Sequence, residues 1–269
     1  MKRRDFFAAS AAAGLALGTA PLAQGAEGAG DKELYELRKY EFASAEKLEA
    51  FAEFLETAVP ALNRAGVKPV GVFRLFKEDN PKLKDLEGDP NELWLVMPHK
   101  SLESVVTLTD KLMTDWAFDS YDAGEIVMAP KSDPAYTRFS SSLLLAFDGI
   151  PQLEVPSDKD TRIVQLRIYE SHTIERHVKK VEMFDDGGEL DLFRKTGMAP
   201  VFFGQALVGT LLPNLTYMLQ FDDEDAMKAA WDAFLAHPEW DAMKNDEQYK
   251  DTVSRITNMI MRPLKASQI

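Results

Sequence analysis

The chain contains no cysteine. That absence excludes disulfides, thiolate metal sites, iron–sulfur ligation, cysteine nucleophiles and a lipid anchor on cysteine. Positive charge is in short supply. Only 31 Lys and Arg stand against 44 Asp and Glu, for a formal net charge of -13. Residues 1–25 hold three of those cations and one anion (Lys2, Arg3, Arg4 and Asp5), so removing that +2 leaves the rest near -15. A chain this acidic, with no basic stripe, repels phosphate backbones and anionic bilayers, which argues against nucleic-acid and membrane-surface partners. No segment after residue 25 has the ~20 apolar residues that a membrane-spanning helix needs. Glycine-rich phosphate loops, nucleophile elbows and EF-hand loops are lacking too.

What is present is enough apolar material for a core. The 269 residues are 45% hydrophobic and 28% charged, which suits one large domain or two small ones and argues against wholesale disorder. Arg3-Arg4-Asp5-Phe6-Phe7 opens the chain, followed by a mildly apolar run from Ala8 to Leu22 and the small residues Ala23 and Gly25. Twin arginine before such a run is the pattern of a bacterial twin-arginine export signal. Residues 1–25 are therefore expected to be an address, and the destination the periplasm or cell envelope.

The remainder is one pattern written twice. Leu37-Arg38-Lys39-Tyr40-Glu41 returns as Leu166-Arg167-Ile168-Tyr169-Glu170, and Gly66-Val67-Lys68-Pro69-Val70 as Gly197-Met198-Ala199-Pro200-Val201. Asn91-Glu92-Leu93-Trp94 is aligned with Asn214-Leu215-Thr216-Tyr217, and Arg138-Phe139 with Arg255-Ile256. Periodicity gives each copy the order β-α-β-β-α-β. In the first copy Ser44 is placed to cap a helix carrying Leu48, Phe51, Ala52, Leu55 and Val59, ended by Pro60 and Gly66; a second helix from Ser101 turns Val105, Thr109, Leu112 and Met113 to one side. In the second copy a helix from Thr173 breaks near Gly187-Gly188, and Asp222 or Asp223 caps another. Residues 33–147 and 161–264 thus form two units, joined by a linker at 148–160. The expected fold class is α+β: two tandem ferredoxin-like units whose bare sheet faces cover each other as an internal α/β barrel with a lumen.

These residues resemble the NIPSNAP family. The resemblance rests on Tyr35-Glu36-Leu37-Arg38-Lys39-Tyr40, the Gly-x-x-Pro-Val turns, Lys180-Val181-Glu182-Met183-Phe184 with Gly187-Gly188-Glu189, and His237-Pro238-Glu239-Trp240. It covers roughly residues 33–264 and is better in the second copy. It implies the dimeric α/β-barrel superfamily, which includes cofactor-free monooxygenases and heme-degrading enzymes. A shared fold does not carry an activity with it, and the family supplies no catalytic motif to transfer.

Alternation on the first strand of each copy separates two faces. Tyr35, Leu37 and Lys39 share one with Val164, Leu166 and Ile168; Glu36, Arg38, Tyr40 and Phe42 share the other with Gln165, Arg167 and Tyr169. The more apolar set is expected against the helices, which would place Arg38, Tyr40, Arg167 and Tyr169 in the lumen. There they would either bind an anionic small molecule or pair with Glu36, Glu41 or Glu170 to hold the sheets together. His172 is the other candidate: an acid/base residue at the barrel mouth, with Tyr169 and Arg167 beside it in an enzyme reading, a heme ligand, or a metal ligand near Glu182 and Glu189; the bland alternative is a helix-cap region with a solvated His177. No metal site is assigned, and His99 reads as a loop residue. The cofactor stays unspecified, with heme as one reading. Three functions follow: a small-molecule binder, a monooxygenase or heme-handling oxidoreductase, and a non-catalytic scaffold. Further pairing of copies through free surfaces is left open.

Overall fold

The first strand, β1 (Leu34–Glu41), alternates side chains between two buried faces, and Ser44 then turns the chain into α1 (Ala45–Arg64) by accepting the Lys47 backbone N–H at 3.4 Å. The computed structural model describes residues 32–83, 88–118 and 121–269; the twin-arginine segment lies outside the described residues. The first half continues as β2 (Gly71–Leu75), β3 (Glu92–His99), α2 (Leu102–Met113), α3 (Tyr121–Val127) and β4 (Arg138–Ala146). The second half runs β5 (Ile163–Glu170), α4 (Ile174–Phe184), α5 (Glu189–Lys195), β6 (Ala199–Val208), β7 (Asn214–Phe221), α6 (Glu224–Leu235), α7 (Pro238–Lys244) and β8 (Arg255–Pro263). Thr173 and Asp223 cap α4 and α6 as Ser44 caps α1, and left-handed Gly188 (φ 84°) separates α4 from α5.

Each half lays four antiparallel strands in the ferredoxin-like order, β4-β1-β3-β2 and β8-β5-β7-β6. Pairing of β2 with β8 and of β4 with β6 then closes all eight into one barrel. The expected α+β barrel of two ferredoxin-like halves is the fold that forms. Closure leaves no free sheet edge. Among the described residues no helix is long and apolar enough to cross a membrane.

Several local expectations change. Pro60 lies inside α1, which runs on to Arg64; a proline so near the end removes one donor without stopping the last turn. On α2 the fully buried residue is Leu108, while Thr109 and Met113 face solvent. Pro238 begins a helix rather than only ending one: it opens α7, with His237 as the cap and Trp240 packed 4.6 Å from Phe234. The repeat is also misaligned by one residue at the third strand. Lys39 pairs with Trp94 and its counterpart Ile168 pairs with Thr216, so Trp94 corresponds to Thr216 and not Tyr217. In a strand one residue is the difference between the two faces.

Candidate functional site

The barrel interior is built from every strand. Tyr35, Leu37, Phe73, Val96, Leu144, Val164, Leu166, Phe202, Met218 and Met261 form one buried cluster, with the C-terminal Ile269. Tyr40 instead packs with Leu48, Phe51 and Leu55 of α1, and Tyr169 with Phe184, Phe193 and Phe234 beneath α4, α5 and α6. The alternation holds, but the faces are the reverse of those expected. Arg38, Tyr40, Arg167 and Tyr169 lie in the sheet–helix layers outside the barrel, and no lumen brings the four together. An eight-stranded barrel is just wide enough for its own side chains or one small ligand. Apolar side chains fill it, whereas a guanidinium on the outer face can run along the helices toward water.

In the first half Arg38 is tied down. Its Nε and Nη2 donate to Glu36, and its Nη1 donates to the Tyr40 hydroxyl at 3.4 Å. Ser141 Oγ donates to the same carboxylate at 2.6 Å. His99 is fully buried at the end of β3 rather than in a loop, with Nε2 3.5 Å from Glu36 and Nδ1 3.0 Å from Ser104 Oγ. Burial alone would push the Glu36 carboxyl up, but nearby His99 and the hydrogen bonds from Arg38 and Ser141 outweigh it and hold the group down at about 2. Of the partners expected for the arginines, Glu36 is the one that pairs with Arg38.

In the second half Arg167 has no carboxylate. Its guanidinium lies 4.5 Å from the Trp231 ring centroid and 5.3 Å from that of Tyr169. Tyr217 donates to the Tyr169 hydroxyl at 3.0 Å, and burial raises the pKa of both phenols. Nearby, Lys180 and Glu189 form a buried ion pair at 2.6 Å. His172 is exposed in the β5–α4 turn, and no contact joins it to Tyr169 among the described residues. His177, expected in solvent, is buried on α4 with Nδ1 unpartnered, and desolvation lowers its pKa. Glu182 pairs with Lys179 on the surface. Among the described residues no group of three or more His, Asp or Glu is arranged to hold a metal ion.

The lumen does open, at the end where β1 and β5 finish. A cavity of about 350 Å³ has an apolar floor of Leu37 and Ile168, a wall of Trp94, and a polar rim that includes Lys39, Glu41, Arg138, Ser140, Ser142, Asn214 and Thr216. Lys39 is held by Glu41 at 2.7 Å and Glu92 at 3.6 Å, and Trp94 Nε1 donates to Glu92 at 3.0 Å. Asn214 donates to the Thr210 and Leu211 carbonyls at 3.1 Å each and so pins the β6–β7 hairpin over the opening, where Leu211 also lines the cavity. Two larger depressions, about 620 and 440 Å³, lie along Lys77–Asp89 and between α5 and α7, and neither shares a lining residue with the lumen. None of the four histidines lines the mouth, so a heme seated there would have no histidine ligand.

Residues 164–268 match the NIPSNAP family model. That match lies in the second half of the chain. Arg167, Tyr169, the Lys180–Glu189 pair and Trp231 all fall within it. No curated protein matches the chain. Among solved structures it is similar to a candidate monooxygenase of Fusobacterium nucleatum, at 9% identity with a TM-score of 0.53, covering 87% of this chain and 93% of that one. A candidate monooxygenase of Lactobacillus acidophilus gives 8% identity and 0.52, over 86% and 94%. A NIPSNAP-like domain protein of Burkholderia xenovorans is 19% identical, over 41% of this chain and 91% of that one, with a TM-score of 0.37. At such identities the likeness of the first two to this chain is one of fold.

Sequence reasoning missed Lys39, Trp94, Ser140, Ser142 and Thr216 as cavity residues. A signal was available: the Ser140-Ser141-Ser142 run sits on a strand that continues as the apolar Leu143 to Ala146. Hydroxyls at period two on a barrel strand mark a wet stretch of wall.

Proposed function

We propose that this protein binds a small, largely apolar molecule with an uncharged polar end in the mouth of its barrel, and that it does so after export by the twin-arginine route. The observation that carries the reading is the shape and chemistry of the mouth: an apolar floor, an indole wall and a rim of hydroxyl and amide groups. Lys39 is engaged by Glu41 and Glu92, which leaves Arg138 as a rim cation with no ion pair among the described residues. A charged ligand placed on Lys39 or Glu41 would have to break those pairs, whereas a neutral one would not. The candidate monooxygenases named above lend the fold and no activity, and nucleophile, base and oxyanion donors are not assembled among the rim residues. Binding is therefore the favoured reading over catalysis.

The test is native mass spectrometry on protein recovered from the periplasmic fraction. A reproducible mass excess that disappears in Ser140→Trp, which fills the mouth, supports the proposal. Empty wild-type protein, or an adduct kept by the blocked variant, overturns it. Export is tested separately: replacing Arg3 and Arg4 with lysine should retain the protein in the cytoplasm, and unchanged secretion would sink that part.

A further inference from the structure

The two halves treat one arginine differently. Arg38 and Arg167 occupy equivalent positions, each facing the helices from the first strand of its half. Arg38 has Glu36 two residues before it, and the two are bonded. At the matching place the second half has Gln165, whose amide is already used: it donates to Asn258 at 2.9 Å and accepts from Trp231 Nε1 at 2.8 Å. Arg167 is left with no hydrogen bond and no ion pair among the described residues, and its Nε is buried without a partner. Arg74 and Arg162 also bury an unpartnered Nε, but their terminal nitrogens are engaged, Arg74 with Glu49 and Arg162 with backbone carbonyls. Arg167 therefore stands apart.

An unpaired guanidinium half-buried in a sheet–helix layer is costly, and a buried donor without an acceptor is costly by itself. The surroundings hold it in place without neutralising it. Trp231 and Tyr169 lie against its charge at 4.5 and 5.3 Å, an arrangement that favours the cation, and its two terminal nitrogens, not fully buried as Nε is, are left for a bidentate acceptor. Lys180, the next cation in this layer, is committed to Glu189. One fork of donors, no second free cation and aromatic walls describe a site for a single carboxylate on a flat body. A polyanion would meet the field of a chain with net charge -13 and only one cation to offset it. The layer also opens at the β8 side, where Ile256 beside Tyr169 is 48% exposed.

We infer that Arg167, flanked by Trp231 and Tyr169, is a binding site for a small aromatic carboxylate, on the opposite face of β5 from the barrel lumen. The site does not depend on the barrel-mouth reading. Benzoate is the probe, with benzyl alcohol as its uncharged counterpart, titrated calorimetrically into the protein at low ionic strength. Wild type is expected to bind benzoate saturably with one site and to ignore benzyl alcohol. Arg167→Gln should weaken binding at least tenfold, and Gln165→Glu, which supplies the first half's carboxylate, should do the same while leaving the arginine in place. Ser140→Trp should bind as wild type does, which separates this site from the lumen. If Arg167→Gln does not fold, Gln165→Glu decides. Absence of saturable binding, benzoate and benzyl alcohol binding alike, binding that survives Gln165→Glu, or binding lost in Ser140→Trp would each overturn the inference.

Discussion

The halves share a strand order, helix caps and an arginine at the same register, yet they stabilise their sheet–helix layers by different means. The first half uses a compact polar knot of Glu36, Arg38, His99 and Ser141 beside the apolar packing of α1. Both layers pack rings, as at Tyr40–Phe139 and Tyr217–Phe203, but the polar element of the second is a separate Lys180–Glu189 pair between α4 and α5. A duplicated fold thus constrains where a residue sits and not what satisfies it. One carboxylate-to-amide difference, Glu36 against Gln165, moves a charge from being internally neutralised to being available.

The sharpest break in that comparison is at Lys180. Lys180→Met strands Glu189 as a buried charge and should cost about 3–5 kcal/mol in chemical denaturation, whereas adding Glu189→Leu should recover most of the loss. A fully additive double variant would mean that the pair is not coupled. Next is Glu36→Gln, expected to cost about 3 kcal/mol near neutral pH, because the carboxyl is held at about 2 rather than an ordinary 4.5. A carboxyl with a depressed folded-state pKa binds fewer protons folded than unfolded. Its contribution is complete above about pH 4.5 and is lost as the pH falls through about 2. Denaturation midpoints of wild type and variant should therefore converge on acidification over that window, and a constant gap would sink the assignment. Tyr217→Phe comes third, at about 1 kcal/mol, since it deletes one buried hydroxyl bond to Tyr169 in the ring stack. The smallest effects should come from Ser44→Ala and Thr173→Ala, each about 0.5–1 kcal/mol from a lost helix cap. Equal costs would show that the halves are matched at their caps while differing in their layers.

The architecture was legible because it rests on local signals. Period-two strands, capping hydroxyls and the repeat of Leu37-Arg38-Lys39-Tyr40-Glu41 each reported on residues adjacent in the chain. Facing was not legible. Both faces of β1 and β5 are buried, so both alternating sets carry apolar and aromatic residues, and hydrophobicity could not say which set met the helices. Arg38 and Arg167 were singled out correctly as unusual and assigned to the wrong side of the sheet. His177 and His99 were misjudged for a related reason: polar residues next to loops look exposed until a neighbouring element covers them.

The amino-acid order by itself determined the α+β class, the doubled β-α-β-β-α-β order and the equivalence of Arg38 with Arg167. Those depend on periodicity and turn chemistry, which act over a few residues. Only the tertiary structure decided that the strands close into a barrel lined by the Tyr35 and Leu37 face, with Arg38 and Arg167 turned to the helices. It also decided that Lys39, Trp94 and Ser140 meet at one mouth, and that Glu36 neutralises its arginine while Gln165 is drawn away by Trp231 and Asn258. Each of these depends on contacts between strands or helices far apart in sequence, where the space left by one element sets what the next can place there.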